Sequence, residues 1–340
     1  MICNVDTFQM FNIIKEIYEN ENEKVYISNF KDKYKIIVLK VEVGNKKYLH
    51  NQYTILELLK FVQGVPKVLN YGFGADEKFY YSIDYYAKSL ADILHKFRTL
   101  TLQSALSIGL SLLRILSGIH RQEIIYANIC PENVVFSKDA ADHDQQLHLI
   151  GFGQAYLKYE KQKKLINKNS LPYHIRNNRV SSSKKDDLES LGYLLIKMIK
   201  GTLPWESLPQ QLMGQKKIEC LKSNEILQGL PYEFRFYFQQ INLFHDEPNH
   251  AYLIKLLNSI MQKYCKTTQH CIIELNQLTP ITENLNETDS SMDSCYLCTV
   301  IPQNMSNFNV LTNLELDSSI EEKLKRLQLI SKQYKLISNL

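Results

Sequence analysis

The chain has 340 residues, of which 44% are hydrophobic and 22% charged, and its formal net charge is +4. This composition is ordinary for a folded protein with a substantial core, and the length allows two domains or one bilobal unit. The charge is too small to indicate nucleic-acid binding. Apolar runs fall short of the roughly 18–20 residues that span a bilayer, and residues 1–16 become polar too early for a secretory leader. We therefore expect an intracellular protein, cytoplasmic or cytoskeletal with the nucleus left open, that binds neither nucleic acid nor membrane.

The first 88 residues alternate apolar, β-branched runs with polar turns, which predicts a β-rich lobe over residues 11–88. The predicted strands are Phe11–Ile17, Lys24–Asn29, Tyr34–Glu42, Lys67–Phe73 and Lys78–Tyr85. Between the third and fourth of these, apolar residues recur from Leu49 to Leu59 at helical spacing. The pattern predicts one helix packed against a sheet.

From Ser89 onward the periodicity becomes helical, with a long predicted helix over Leu102–His120. Short strands are predicted at Asn133–Phe136 and Leu147–Ile150, and helices dominate from there to Tyr264. The sequence therefore predicts an α+β fold in which a helical lobe, residues 89–264, follows the β-rich lobe.

Residues 265–316 are rich in Asn, Ser and Thr and are predicted to be a poorly ordered linker. Residues 317–340 predict an amphipathic helix whose apolar stripe includes Leu324, Leu327 and Tyr334. This helix has three open roles: folding back on the body, binding a partner helix, or self-association. The Cys295-x-x-Cys298 pair is a weak zinc pattern in a segment with little periodicity, so ordinary reduced thiols are the expectation.

Three separated motifs resemble protein kinases. IYANICPENVV (Ile125–Val135) and LHLIGFGQA (Leu147–Ala155) follow the order of the kinase catalytic loop and metal-binding motif. KDDLESLGYLLIKMIKGTLPW (Lys185–Trp205) resembles the casein kinase 1 family in particular. The resemblance extends from about Phe11 to Tyr264 and implies a bilobal kinase fold with a nucleotide cleft between the lobes.

The region matching the glycine-rich phosphate loop contains no glycine. It reads YENENEKVY (Tyr18–Tyr26), and it carries Glu19, Glu21 and Glu23. Glycine allows the backbone to approach phosphates closely, whereas these carboxylates would repel them. We expect a solvent-exposed acidic hairpin here.

Lys40 matches the strand lysine that holds the α- and β-phosphates in kinases, with a surface lysine as the other interpretation. Its usual glutamate partner falls at Gln52, whose amide gives no ion pair. The hinge-like stretch Asp84, Tyr85 and Tyr86 is the remaining nucleotide-binding candidate. No cofactor is the main expectation, with ATP bound without magnesium as the other.

Four positions in the matched motifs bear on the chemistry. Asn128 replaces the catalytic aspartate, and an amide cannot act as a general base. Cys130 replaces the lysine that contacts the transferred phosphate, and Gly151 replaces the aspartate that carries magnesium. Asn133 matches the metal-binding asparagine and is retained, either as a remnant or as a hydrogen-bonding brace for the loop.

Residues that support the fold in this family are present. They include Phe152, Asp187, which would brace the catalytic-loop backbone, and Trp205. Structural positions are thus kept where the metal, the base and the phosphate contacts are missing. The resemblance implies a pseudokinase that acts as a protein-binding scaffold or a structural component.

Basic residues suggest a partner surface. Lys216 matches one position of the family's anion site, and Lys163 and Lys164 belong to a basic activation segment that would bind acidic proteins or a cytoskeletal polymer. Three other functions stay open. They are a degenerate but active Ser/Thr kinase, a nucleotide-binding switch without catalysis, and a purely structural part of an assembly.

Overall fold

The structure is a computed structural model that describes residues 10–31, 34–44, 47–74, 77–137, 147–158, 173, 183–243 and 247–265. The predictions for Lys163, Lys164 and the C-terminal residues Leu324, Leu327 and Tyr334 lie outside these residues, as do those for nearly all of the predicted linker.

The N-terminal part is an antiparallel sheet with one helix packed on it. Its strands are β1 (Phe11–Glu19), β2 (Glu23–Phe30), β3 (Ile36–Glu42), β4 (Asn70–Phe73) and β5 (Phe79–Asp84), and the helix is α1 (Tyr48–Leu58). The strands are arranged in the order β1-β2-β3-β5-β4. Buried side chains of β2, β3 and α1, such as Val25, Val38 and Leu49, form part of the main core.

The carboxylate of Glu42, at the end of β3, stabilises the beginning of α1. The residue before this helix, Lys47, has a left-handed backbone and provides no side-chain cap. Burial raises the pKa of Glu42, while the backbone N–H groups of Leu49, Phe79 and Tyr48 act in the opposite direction. Because the free N–H groups at a helix start favour a nearby negative charge, Glu42 contributes to the stability of the beginning of α1.

The second part is mainly helical. Its helices are α2 (Leu90–Phe97), α3 (Leu102–Arg121), α4 (Lys184–Lys200), α5 (Gln210–Lys222), α6 (Phe234–Leu243) and α7 (His250–Tyr264). Short strands lie against them, namely β6 (Lys88–Ser89), β7 (Ile124–Ile125), β8 (Val134–Phe136), β9 (Leu147–Leu149) and β10 (Tyr156–Leu157). The bilobal α+β architecture predicted from the sequence is confirmed.

Helix α3 is a long apolar helix in the middle of the second part. At 20 residues it is long and apolar enough to cross a membrane by length and composition alone. However, most of its apolar side chains are buried in the core, and α3 packs against α4 and α7. Its hydrophobicity is therefore that of a central core helix.

Trp205 is the largest fully buried side chain and organises the helical part. Its indole meets the Tyr193 ring edge-on, with the ring centroids 5.1 Å apart. The ammonium of Lys217 lies 5.8 Å from the Trp205 ring centroid and 5.9 Å from that of Tyr193. Gly192 allows α4 to approach α6, because a Cβ there would lie 2.8 Å from Phe238 and Tyr237.

The predicted and observed elements differ mostly at strand starts. The predicted strand Tyr34–Glu42 begins at Ile36, since the Tyr34 side chain is fully exposed. The predicted strand Lys67–Phe73 begins at Asn70. Pro66, which has no N–H to donate to a ladder, precedes the part that stays outside the sheet.

Candidate functional site

A cleft lies between the sheet and the catalytic-loop region, where the sequence predicts a nucleotide site. Its lining comes from both lobes and consists of Val25, Val38, Lys40, Gln52, Leu56, Pro66, Tyr81, Ile83, Tyr86, Asn133, Ile150, Gly151 and Phe152. Of the described residues that line it, none carries a carboxylate. The cavity volume is about 30 Å³, which corresponds to room for roughly two water molecules.

Lys40 projects from β3 into a buried polar cluster. Its Nζ donates to Oε2 of Glu23 at 3.1 Å and to Oε1 of Gln52 at 3.3 Å. Nε2 of Gln52 also donates to Oε2 of Glu23, at 3.3 Å, and the phenol of Tyr81 donates to Oε1 of Gln52 at 3.1 Å. The structure places Gln52 beside Lys40, where the sequence predicted it, but the ion pair is made with Glu23.

Glu23 therefore corrects the expectation of a solvent-exposed acidic hairpin. Its side chain is 1% exposed and that of Lys40 is 14% exposed, whereas Glu21 is exposed and Glu19 pairs with Lys24 at 2.9 Å. The physical reason is strand alternation, since residues two apart on a strand share a face. Glu23 shares its face with the fully buried Val25, and that relation was the sequence signal for an inward-pointing carboxylate.

The catalytic-loop asparagines form a chain of hydrogen bonds. Nδ2 of Asn133 donates to the backbone carbonyl of Asn128 at 2.9 Å, and Nδ2 of Asn128 donates to the backbone carbonyl of Gly151 at 2.8 Å. Both side chains are buried, at 3% and 0% exposure for Asn133 and Asn128 respectively. This geometry matches the bracing role that was one of the two interpretations of Asn133.

Cys130, at the position of the phosphate-contacting lysine, is buried and chemically quiet. Burial is the main cause that raises the pKa of its thiol well above the usual value, and the neighbouring Glu132 carboxylate adds to it. The reactive form of cysteine is the thiolate. A buried thiol with a raised pKa supplies neither a positive charge nor a nucleophile.

The surroundings of Gly151 leave no room for the aspartate side chain that the kinase motif has at this position. Its backbone is left-handed, with φ of 79°, and a Cβ built there would lie 2.4 Å from Oδ1 of Asn133. The next residue, Phe152, is buried and meets the Tyr126 ring edge-on, with the centroids 5.1 Å apart. The phenol of Tyr126 donates to the backbone carbonyl of Ile150.

Asp187, near the start of α4, holds the backbone of the catalytic loop by hydrogen bonds. One carboxylate oxygen accepts from the backbone N–H of Ala127 at 2.7 Å, and the other accepts from that of Tyr126 at 2.9 Å. Ala127 has a left-handed backbone, with φ of 57°. That conformation costs about 1–2 kcal/mol for an L-residue, so the bond to Asp187 helps to stabilise it.

Two histidines extend this support, and the sequence reasoning missed both. Nε2 of His120 lies 2.9 Å from Oδ2 of Asp187, and Nδ1 of His120 lies 2.8 Å from Nε2 of His250. Burial, followed by the charge of His120, lowers the pKa of His250 to about 4. The chain links α7 to α3 and to the loop, and no spacing pattern reveals a contact 130 residues apart in sequence.

The predicted hinge residues and Lys216 of the predicted anion site lie within the described part of the chain, and each has a defined contact. Asp84 pairs with Lys35, Tyr85 packs on the main core, and Tyr86 packs on His148 with centroids 4.8 Å apart. Lys216 is partly exposed, and its ammonium lies 3.5 Å from Oε2 of Glu225.

The neighbouring Lys217 was not singled out from the sequence. It is the lysine that lies buried beside Trp205, and burial lowers its pKa to about 8 although Glu189 opposes this shift.

Comparison with known proteins agrees with this geometry. The profile described as the protein kinase domain matches residues 14–277. Casein kinase I homolog 2 of Schizosaccharomyces pombe is 24% identical over 238 residues, which cover 63% of this chain and 53% of the relative. Casein kinase I homolog RAG8 of Kluyveromyces lactis is 26% identical over 235 residues, which cover 63% and 44%. The match thus spans about half the length of these relatives. The chain belongs to the protein kinase family and, within it, is similar to casein kinase I.

Proposed function

We propose that this protein is a catalytically inactive, casein kinase 1-like pseudokinase that works inside the cell as a protein-binding scaffold or a structural component. The observation that carries the proposal is the amide chain from Asn133 through Asn128 to the carbonyl of Gly151. It occupies the place where a kinase needs a base and a metal-binding carboxylate.

The chemistry of phosphoryl transfer explains why this matters. Catalysis depends on positioning the phosphates and neutralising their charge, chiefly through magnesium held by an aspartate and an asparagine. At these positions the chain offers the side chain of Asn133, which is already bonded to the loop, and no side chain at Gly151. Loss of a general base at Asn128 removes a further ~10²–10⁴-fold in rate.

A phosphotransfer assay tests the inactive state. We expect no phosphorylation of casein above background by the wild type, by Gly151→Asp or by Asn128→Asp, with labelled ATP and magnesium present. Gly151→Asp alone should fail because its Cβ collides with Asn133 and the base is still missing. A casein kinase I is the positive control. Turnover by the wild type, or robust activity restored by Gly151→Asp alone, would contradict the proposal.

The scaffold role is tested separately, through residues outside the described part of the chain. The proposed partners are an acidic protein or a cytoskeletal polymer, bound by basic residues such as Lys163 and Lys164, and a partner helix that meets the stripe of Leu324, Leu327 and Tyr334. We expect a chain ending at Asp317 to keep its melting temperature and to lose copurification with that helical partner. A large drop in melting temperature would show instead that the last 23 residues pack on the body.

A further inference from the structure

The turn before β2 holds Glu23 in one orientation. The side-chain oxygen of Asn20 accepts from the backbone N–H groups of Asn22 and Glu23, each at 2.7 Å. The backbone of Asn20 in turn donates to the carbonyl of Glu23 at 2.9 Å, and Glu23 pairs with Glu42 of β3 in the ladder. The hydrogen bonds of the turn and the pairing of the strands therefore fix the direction of the Glu23 side chain.

That direction brings the carboxylate onto Lys40. Val25, two residues further along β2, is the direct partner of Lys40 in the ladder, and Glu23 lies on the same face. One oxygen of Glu23 receives both the ammonium of Lys40 and the amide of Gln52. An ammonium has three donors, so Glu23 and Gln52 occupy two of those of Lys40.

Lys40 is the positive charge that this fold would offer to the phosphates of a nucleotide. Its charge is already matched by a carboxylate from the hairpin that would cover those phosphates, and the cavity next to it measures about 30 Å³. A polyphosphate placed there would bring further negative charge against a buried anion. The residues that line the described cleft carry no carboxylate, and that of Glu23 is already bonded to Lys40 and Gln52, so no metal ligand of that kind would relieve the repulsion.

We propose that Glu23 is a built-in counter-ion of Lys40 that takes the place of a nucleotide phosphate and closes the cleft to nucleoside polyphosphates. The inference deepens the proposed function, since it gives a reason why the pseudokinase would work without nucleotide. It also identifies a latent anion site, which removal of Glu23 opens.

Glu23 has one competing role, and it predicts the opposite result. In an active kinase a glutamate pairs with the strand lysine to position it for ATP. If Glu23 were such a positioning partner, its removal would weaken ATP binding. If it is a counter-ion in the phosphate place, its removal strengthens binding.

The experiment is a calorimetric titration of ATP, and separately of inorganic tripolyphosphate, into the full chain with a chelator present. We expect no measurable binding by the wild type and a gain of at least about tenfold in affinity for Glu23→Ala, because one charge-assisted contact is worth that much. Inorganic tripolyphosphate should show the same gain, since the effect concerns phosphate and not adenine. A second titration, with magnesium in place of the chelator, should give nearly the same affinity.

Three further variants make the outcome decisive. Glu21→Ala removes the same charge from the same hairpin at an exposed position, and it should behave as the wild type. Lys40→Met added to Glu23→Ala should abolish the gain. Glu23→Gln keeps the size of the side chain and tests the charge if the alanine variant does not fold, and it should show a smaller gain.

Two results would overturn the inference. One is a wild type that binds ATP as tightly as Glu23→Ala, and the other is weaker binding by both Glu23 variants than by the wild type. Neither result concerns phosphotransfer, which the casein assay measures on its own. Failure of this inference is therefore distinguishable from failure of the proposed function.

Discussion

Replacing Asp187 by alanine is expected to destabilise the fold by on the order of 5 kcal/mol, because each buried donor left without an acceptor costs about 1–3 kcal/mol. Three donors lose their partner at once, namely the backbone N–H groups of Tyr126 and Ala127 and the ring of His120. Since whole domains are stable by only about 5–15 kcal/mol, the variant should be partly unfolded at room temperature. Urea denaturation followed by circular dichroism measures the loss.

Asp92→Ala provides the matched control for this variant. It removes a carboxylate from the first turn of α2, where Asp92 forms a capping box with Ser89 at an exposed position. The loss there should be about 0.5–1 kcal/mol, as is usual for a helix cap. Equal losses in the two variants would show that Asp187 is an ordinary cap and not the support of the loop.

Replacing Lys217 by methionine is expected to stabilise the protein at pH 7 by about 1–3 kcal/mol. Burial lowers the pKa of this lysine to about 8 from 10.5, and each pKa unit corresponds to about 1.4 kcal/mol. The contacts of its ammonium with the Trp205 and Tyr193 rings offset part of that cost. Methionine has a similar length, packs against the same rings and carries no charge.

The pH dependence of this effect has a defined sign. Between pH 8 and pH 10.5 the unfolded chain holds a proton on Lys217 that the folded chain has released, so wild-type stability from this group rises with pH. The advantage of Lys217→Met should therefore be largest below pH 8 and should shrink above it. Urea midpoints at pH 7 and pH 9.5 test this, with Lys216→Met as the neighbouring partly exposed control. An advantage that does not change with pH would contradict the buried-amine explanation.

Patterns within single elements were enough to predict the fold. The β-branched run of β3 and the long apolar periodicity of α3 place the two lobes, and both elements were found within two residues of the predicted bounds. The motif around Asp187 was also sufficient to predict a bond to the loop backbone, because Asp187 in the run KDDLESLG matches the helix aspartate of the family that the sequence resembles.

The charge contacts of the site could not be predicted from the sequence, because they depend on which side chains the fold turns inward. Glu23 looked like one of three equivalent acidic residues, but Glu21 lies exposed in the turn, whereas Glu23 is the first residue of β2 and lies on its buried face. Likewise, Lys217 stands beside Lys216 in the sequence, yet one is buried against Trp205 and the other is partly exposed. One-residue differences of this kind depend on which face an element turns inward, and composition does not report that.

The position of Trp205 allows the unfolding of the helical lobe to be followed by intrinsic fluorescence. It is the only tryptophan in the chain, and its indole is fully buried and contacts Tyr193 and Lys217 of the helical part. Ten of the 21 tyrosines fall within residues 11–88. Emission excited at the red edge of the absorption spectrum therefore comes from the helical lobe alone, while tyrosine emission includes the contribution of the N-terminal lobe. If the two lobes unfold at different temperatures, the tryptophan and tyrosine emission will show different melting temperatures, and no attached dye is needed to detect this.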